Sequence, residues 1–160
     1  MFGFGKKKRI REEYLHIMNG IAELSSVTPA VNELIYNQYS ETFVDNYNRV
    51  EAMPPALQFE NEYEGIKYAY QTTLCSIMHI ILGYDGLLNM GNVKDANQIK
   101  RKLLPRESDL SLDDLVLAIQ VPVKFFESRG AWERHPELEE TAKTFLQQAA
   151  MTSFVNRVTN

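Results

Sequence analysis

The sequence predicts an all-α protein: a single-domain bundle of about six helices, with a long third helix at its centre. Three observations predict it. Apolar residues recur at spacings of three and four along most of the chain, no segment shows apolar–polar alternation bounded by turns, and helix start and stop signals stand at the ends of the periodic stretches. With 160 residues, 44% of them hydrophobic and 24% charged, the chain can bury a core without metal or disulfide staples. Its one cysteine, Cys75, excludes an intramolecular disulfide and a Cys-rich zinc site.

The first helix is expected from about Lys7 to Leu24, because Ile10, Tyr14, Ile17, Met18, Ile21 and Leu24 gather on one face. The second opens with Thr28 as N-cap and Pro29 at the first helical position. The hydroxyl satisfies a free amide, and proline has no amide to leave unsatisfied. Val31, Ile35, Tyr39, Phe43 and Tyr47 follow four apart, and Pro54-Pro55 forces an exit near Met53. The third helix carries the clearest stripe: Phe59, Tyr63, Ile66, Tyr70, Leu74, Ile77, Ile81, Tyr84 and Leu88. Asn89-Met90-Gly91-Asn92 ends it.

A fourth helix is expected over Val93–Leu104. Ser111-Leu112-Asp113-Asp114 resembles a capping box and opens a fifth, which Pro122 should break or kink so that Val123–Ser128 is a separate turn or two. The last runs from Pro136 to about Val158, with Leu138, Ala142, Phe145, Leu146, Ala149 and Val155 inward. No repeat or linker divides the chain, so residues 1–9 read as a frayed basic tip and 10–160 as one helical domain.

The formal net charge of −4 hides an asymmetry. Residues 1–11 hold five basic side chains and no acid, residues 12–93 hold two basic and eleven acidic ones, and the remainder balances. A basic tip on an acidic body disfavours general nucleic-acid binding. Arg11, Glu12 and Glu13 stand where the apolar core of a signal peptide would have to begin. The longest strongly apolar stretch, Leu74–Leu82, is far too short for a membrane span. The expected location is cytoplasmic, with the inner face of a membrane as the alternative. There Phe2 and Phe4 would enter the interface while Lys6, Lys7, Lys8 and Arg9 meet anionic headgroups, a weak peripheral contact.

Catalytic signals are sparse. Glu13 and His16 form one Glu-x-x-His unit, but a di-iron carboxylate site needs two, and neither His79 nor His135 has a Glu three residues before it. Cys75 and His79 lie four apart on one helix face, yet Leu74, Ile77, Met78, Ile80 and Ile81 around them point to a core thiol and a hydrogen-bonded histidine. No phosphate loop, Ser/His/Asp order or metal set appears, and no cofactor is expected. Lys94, Lys100, Arg101, Lys102 and Arg106 form a second basic cluster without interleaved aromatics, which reads as a solvated face.

The best remaining signal is the overlap of tyrosines with acids. Tyr36, Tyr39 and Tyr47, with Glu60, Glu62 and Glu64, would form a surface that steers and anchors a basic protein partner. The expected function is therefore that of a non-enzymatic interaction protein: an adaptor, inhibitor or immunity-type protein. The alternative is a helical bundle holding a small apolar ligand or cofactor, with Tyr70, Cys75 and His79 at the site.

Overall fold

A computed structural model describes residues 2–23, 27–55, 59–104, 109–130, 132 and 136–159, with side chains described between 3 and 150. Seven helices and no strand are found among these residues: α1 (Phe2–Ala22), α2 (Pro29–Gln38), α3 (Ser40–Glu51), α4 (Glu62–Asn89), α5 (Val93–Leu103), α6 (Leu112–Ser128) and α7 (Pro136–Thr159). The chain divides into two compact units, Met1–Leu74 and Cys75–Asn160, with the boundary inside α4.

The count is seven rather than about six for one physical reason. Tyr39, with φ −114° and ψ 23°, interrupts the expected second helix and serves as C-cap of α2 and N-cap of α3. Side chains strictly four apart drift by about 40° per step around a straight helix, so Val31 and Tyr47 would face nearly opposite ways. The one-residue break re-aims the row, and Ile35, Tyr39, Phe43 and Tyr47 are all buried. Its cost is small, because the amide of Tyr39 still reaches the Ile35 carbonyl and the amide of Phe43 the Tyr39 carbonyl.

Conversely, Pro122 does not break the fifth expected helix: α6 is continuous through it. Proline forfeits one backbone hydrogen bond there, but Ala118, Ile119, Pro122, Val123 and Phe126 are all buried along that side, and their packing offsets the loss. The long stripe forms α4, 28 residues and fourth in order, starting at Glu62 rather than Phe59. Asn61 caps it, its side-chain oxygen accepting from the amide of Glu64 at 2.9 Å. The capping box at Ser111 and Asp114 is present in full.

In the first unit, α1 packs on α2 and α3. Ile10, Tyr14, Ile17, Met18 and Ile21 face inward from α1, and Ile66, Ala69, Tyr70 and Leu74 from α4. Four aromatic rings form its centre: Phe43 meets Tyr14 at 4.7 Å, Tyr36 at 5.0 Å and Tyr70 at 6.2 Å. Buried hydrogen bonds lie within it. Tyr14 donates to the Phe43 carbonyl at 3.0 Å, and the Asn46 amide donates to the Thr73 hydroxyl at 3.0 Å.

In the second unit, α6 packs on α7. Leu115, Ile119, Val123 and Phe126 are buried along α6, and Leu138, Ala142, Phe145 and Ala149 along α7. Trp132 is buried as well, its indole NH donating to the Val123 carbonyl at 3.4 Å.

Candidate functional site

The end of α3 and the start of α4 frame a recess of about 280 Å³ in the first unit, lined by Tyr47, Val50, Glu51, Phe59, Asn61, Glu62, Gly65 and Ile66. Local sequence builds it. Pro54-Pro55 follows the end of α3, and Asn61 opens α4, so Glu51 sits in a last turn and Glu62 in a first turn. A carboxylate is favourable at a helix N-terminus, where the free amides carry partial positive charge. Gly65 lets the helices approach: a Cβ there would meet Val50 Cγ1 at 3.3 Å and Phe59 Cδ2 at 3.7 Å.

The basic start of α1 reaches this same region. Lys6 Nζ lies 2.6 Å from Glu51 Oε2 and 6.0 Å from the centre of the Tyr47 ring. Arg9 Nη2 donates to the Tyr47 hydroxyl at 3.2 Å, and that hydroxyl is 3.5 Å from Glu62 Oε1. Burial and the Glu13 carboxylate push the Tyr47 phenol up, against the pull of Arg9, so it stays a donor. Glu13 completes the group. Burial first, then the like charge of Glu62, raises its carboxyl above the usual range, and Arg9 only partly opposes this. Its Oε2 is buried and has no hydrogen-bond partner among the described residues. Further along α1, Arg11 lies 3.6 Å from Glu33.

These contacts place the sequence candidates. Tyr36 and Tyr39 are interior residues, because they lie on the core-facing side of α2 and at its cap. Tyr47 has a buried ring whose hydroxyl joins the polar group at the recess. Among the tyrosines of this unit Tyr63 is the exposed one, so a surface around the recess rests on carboxylates rather than on Tyr36, Tyr39 or the ring of Tyr47. Glu60 and Glu62 are exposed; Glu64 is half-buried and held at 3.2 Å by Lys67. Sequence reasoning took Glu13 only as half of a Glu-x-x-His unit, and singled out neither Glu51 nor Gly65 for the site. Nothing in the sequence distinguished Gly65, since Gly20 and Gly86 are helical too and a Cβ there would meet nothing within 4 Å.

The other candidates separate. Tyr70 is sealed among the rings of the first unit. Cys75 and His79 belong to the second, where Cys75 is buried and His79 exposed, so the expected core histidine is a surface one. The Thr141 hydroxyl donates to the Glu137 carbonyl at 3.3 Å and lies 3.3 Å from His79 Nε2. Burial pushes the thiol up, so it stays protonated and weakly nucleophilic. No group of three or more His, Cys, Asp and Glu side chains among the described residues is arranged to hold a metal ion.

At the N-terminus, the helix starts at Phe2, so Lys6, Lys7, Lys8 and Arg9 are helical. The side chain of Phe2 lies outside the described residues, whereas Phe4 is 82% exposed. Lys7 and Lys8 face solvent, while Lys6 and Arg9 are engaged as above. Lys94, Lys100, Arg101 and Lys102 are exposed on α5; Arg106, Leu24, His135 and Val155 fall outside the described side chains. No described helix is long and apolar enough to cross a membrane. No protein-family model, curated protein or solved structure matches the chain.

Proposed function

We propose that the protein is a non-enzymatic interaction protein that binds a basic protein partner by seating one of its lysine or arginine side chains in the α3–α4 recess. The observation that carries this reading is the composition of the recess: carboxylates of Glu51 and Glu62 beside the apolar Val50, Phe59 and Ile66. A long cationic side chain has that same division, an aliphatic stem and a charged head. At about 280 Å³ the space falls just below the 300–1,000 Å³ usual for small-molecule sites, and suits one such side chain. Glu60 and Glu64 flank it and add to the field that steers a basic partner in.

The chain's own Lys6 already satisfies Glu51 from within, at 2.6 Å. A partner therefore competes with α1 for that carboxylate. The buried free thiol of Cys75 fits a cytoplasmic setting for this role.

The test is binding of a fluorescent Lys/Arg-rich peptide, followed by anisotropy at low and moderate salt. A Glu51→Lys/Glu62→Lys variant should lose salt-sensitive binding, and so should reversal of Glu60, Glu62 and Glu64. A Glu41→Lys/Asp45→Lys variant changes the net charge equally at exposed positions of α3 that do not line the recess, and should keep most of it. Equal loss in the two double variants would reduce the interaction to net charge and remove the recess from it.

A further inference from the structure

The second unit carries an apolar corner that its own fold does not use. The turn from α4 to α5 is fully built. The amide of Gly91 reaches the Leu88 carbonyl and that of Asn92 the Leu87 carbonyl, both at 2.9 Å, with Gly91 at φ +77°. This pair of bonds is the glycine-dependent closure of a helix C-terminus. Asn92 then caps α5, accepting from the Asp95 amide at 3.2 Å and donating to the Asp95 carboxylate at 2.7 Å. On this well-ordered corner Met90 is 79% exposed, Val93 55% and Leu88 38%. Large apolar side chains held out by a hydrogen-bonded turn signal a contact surface.

Helix α5 continues that surface with positive charge. Ala96 and Leu103 are its buried residues. At about 100° per residue, Val93, Lys94, Asn97, Lys100 and Arg101 then share one outward side, all exposed, while Asp95 lies on another. No ion pair ties Lys94, Lys100 or Arg101 to an acid among the described residues. An apolar tip followed by an acid-free basic side suits a surface that is anionic outside and apolar beneath.

We infer that the α4–α5 corner docks on an anionic lipid surface, Met90 and Val93 entering the interface while Lys94, Lys100 and Arg101 meet headgroup phosphates. A nucleic-acid backbone would take the charges but offers nothing apolar to the tip, and the corner has no aromatic side chain for base stacking. This surface is independent of the recess in the first unit.

Sedimentation of the full chain with phosphatidylcholine vesicles, with and without phosphatidylserine, tests the inference. The protein should partition onto the anionic vesicles and not the neutral ones. Lys100→Ala/Arg101→Ala should weaken partition by about fivefold per charge. Met90→Ser/Val93→Ser leaves charge untouched and should weaken it by about tenfold. Both pairs are exposed, so circular dichroism should show an unchanged fold. A Lys7→Ala/Lys8→Ala variant should bind within about twofold of the parent. Equal partition onto both vesicle types, no partition, or full binding by either α5 variant overturns the inference. Loss through the Lys7/Lys8 variant as large as through the α5 charge pair overturns it too, as does duplex DNA binding as tight as vesicle binding.

Discussion

The two units treat charge in opposite ways. In the first, the basic run of α1 is folded back onto the unit's own acids: Lys6 onto Glu51, Arg11 onto Glu33, and Arg9 beside Tyr47, Glu13 and Glu62. In the second, the basic side chains of α5 face outward, and among the described residues the ion pair of Lys143 with Glu139 lies within α7. The sequence contrast between a basic tip and an acidic body shrinks accordingly. The first unit holds seven basic and ten acidic residues, the second ten and eleven. Charge asymmetry along a chain is thus poor evidence of an external partner until folding has matched what it can. What survives the matching is informative: Glu60 and Glu62 at and beside the recess, and Lys94, Lys100 and Arg101 on α5, none of which has an ion pair among the described residues.

The largest expected effect lies in the cores, where the two units are alike in how deeply they bury a phenylalanine. Phe43 is fully buried against three tyrosine rings. Phe43→Ala should cost about 3–5 kcal/mol, measured by urea unfolding. Phe145→Ala, equally buried in the second unit, should cost a similar amount. Following unfolding by tyrosine fluorescence and, separately, by the Trp132 signal would show whether each loss stays within its unit; coincident transitions for both variants would join the units energetically. A smaller effect is expected from Tyr14→Phe, which keeps the ring but leaves the Phe43 carbonyl without its 3.0 Å donor. About 1–2 kcal/mol should be lost.

Most of the helical architecture was legible, because it rests on periodicity and capping, which are local. The Thr28–Pro29 start and the Ser111 capping box appear as read, and the long stripe forms a helix from Glu62, with Ile66, Tyr70, Leu74, Ile77, Ile81 and Tyr84 buried but Tyr63 and Leu88 exposed. The misreadings have a shared cause: tertiary packing overrode a local rule. Pro122 stays in a helix because its neighbours are buried, and Tyr39 breaks one because its row of side chains must keep facing the core. The site was half legible. Glu62 and Tyr47 could be named from the sequence, but pairing Lys6 with Glu51 needs a contact across 45 positions. Periodicity identifies which tyrosines share a face without saying whether that face is inward.

The contact at Lys6 sharpens the comparison between matched and unmatched charge. Both partners are about half exposed, so Lys6→Ala should change stability by no more than about 1 kcal/mol. Its effect on binding should be the larger one. Freeing Glu51 removes an internal competitor, and the affinity for the basic peptide should rise in anisotropy titrations. A fall in affinity would mean that Lys6 organises the recess rather than competing for it.

The smallest expected effect, and the most diagnostic of the polar group at the recess, concerns Glu13. Its carboxyl is raised by burial and by Glu62, more than Arg9 lowers it. A carboxyl raised in the folded state favours folding while protonated. That stabilisation is therefore complete below the ordinary carboxylate range and is lost as pH rises through the raised value. Glu13→Gln removes the ionisation and the repulsion from Glu62 together. The variant should match the parent protein in thermal melts at low pH and melt slightly higher at neutral pH, with a flatter dependence between them. A lower melting temperature at neutral pH would mean that the attraction to Arg9 outweighs burial. A cation seated against Glu62 offsets the same repulsion, so binding of the basic peptide should draw the Glu13 carboxyl down and release protons near its folded pKa. Proton release measured by calorimetry in buffers of different ionisation enthalpy should vanish in Glu13→Gln. If it persists there, the protons come from another group and Glu13 is not coupled to the recess.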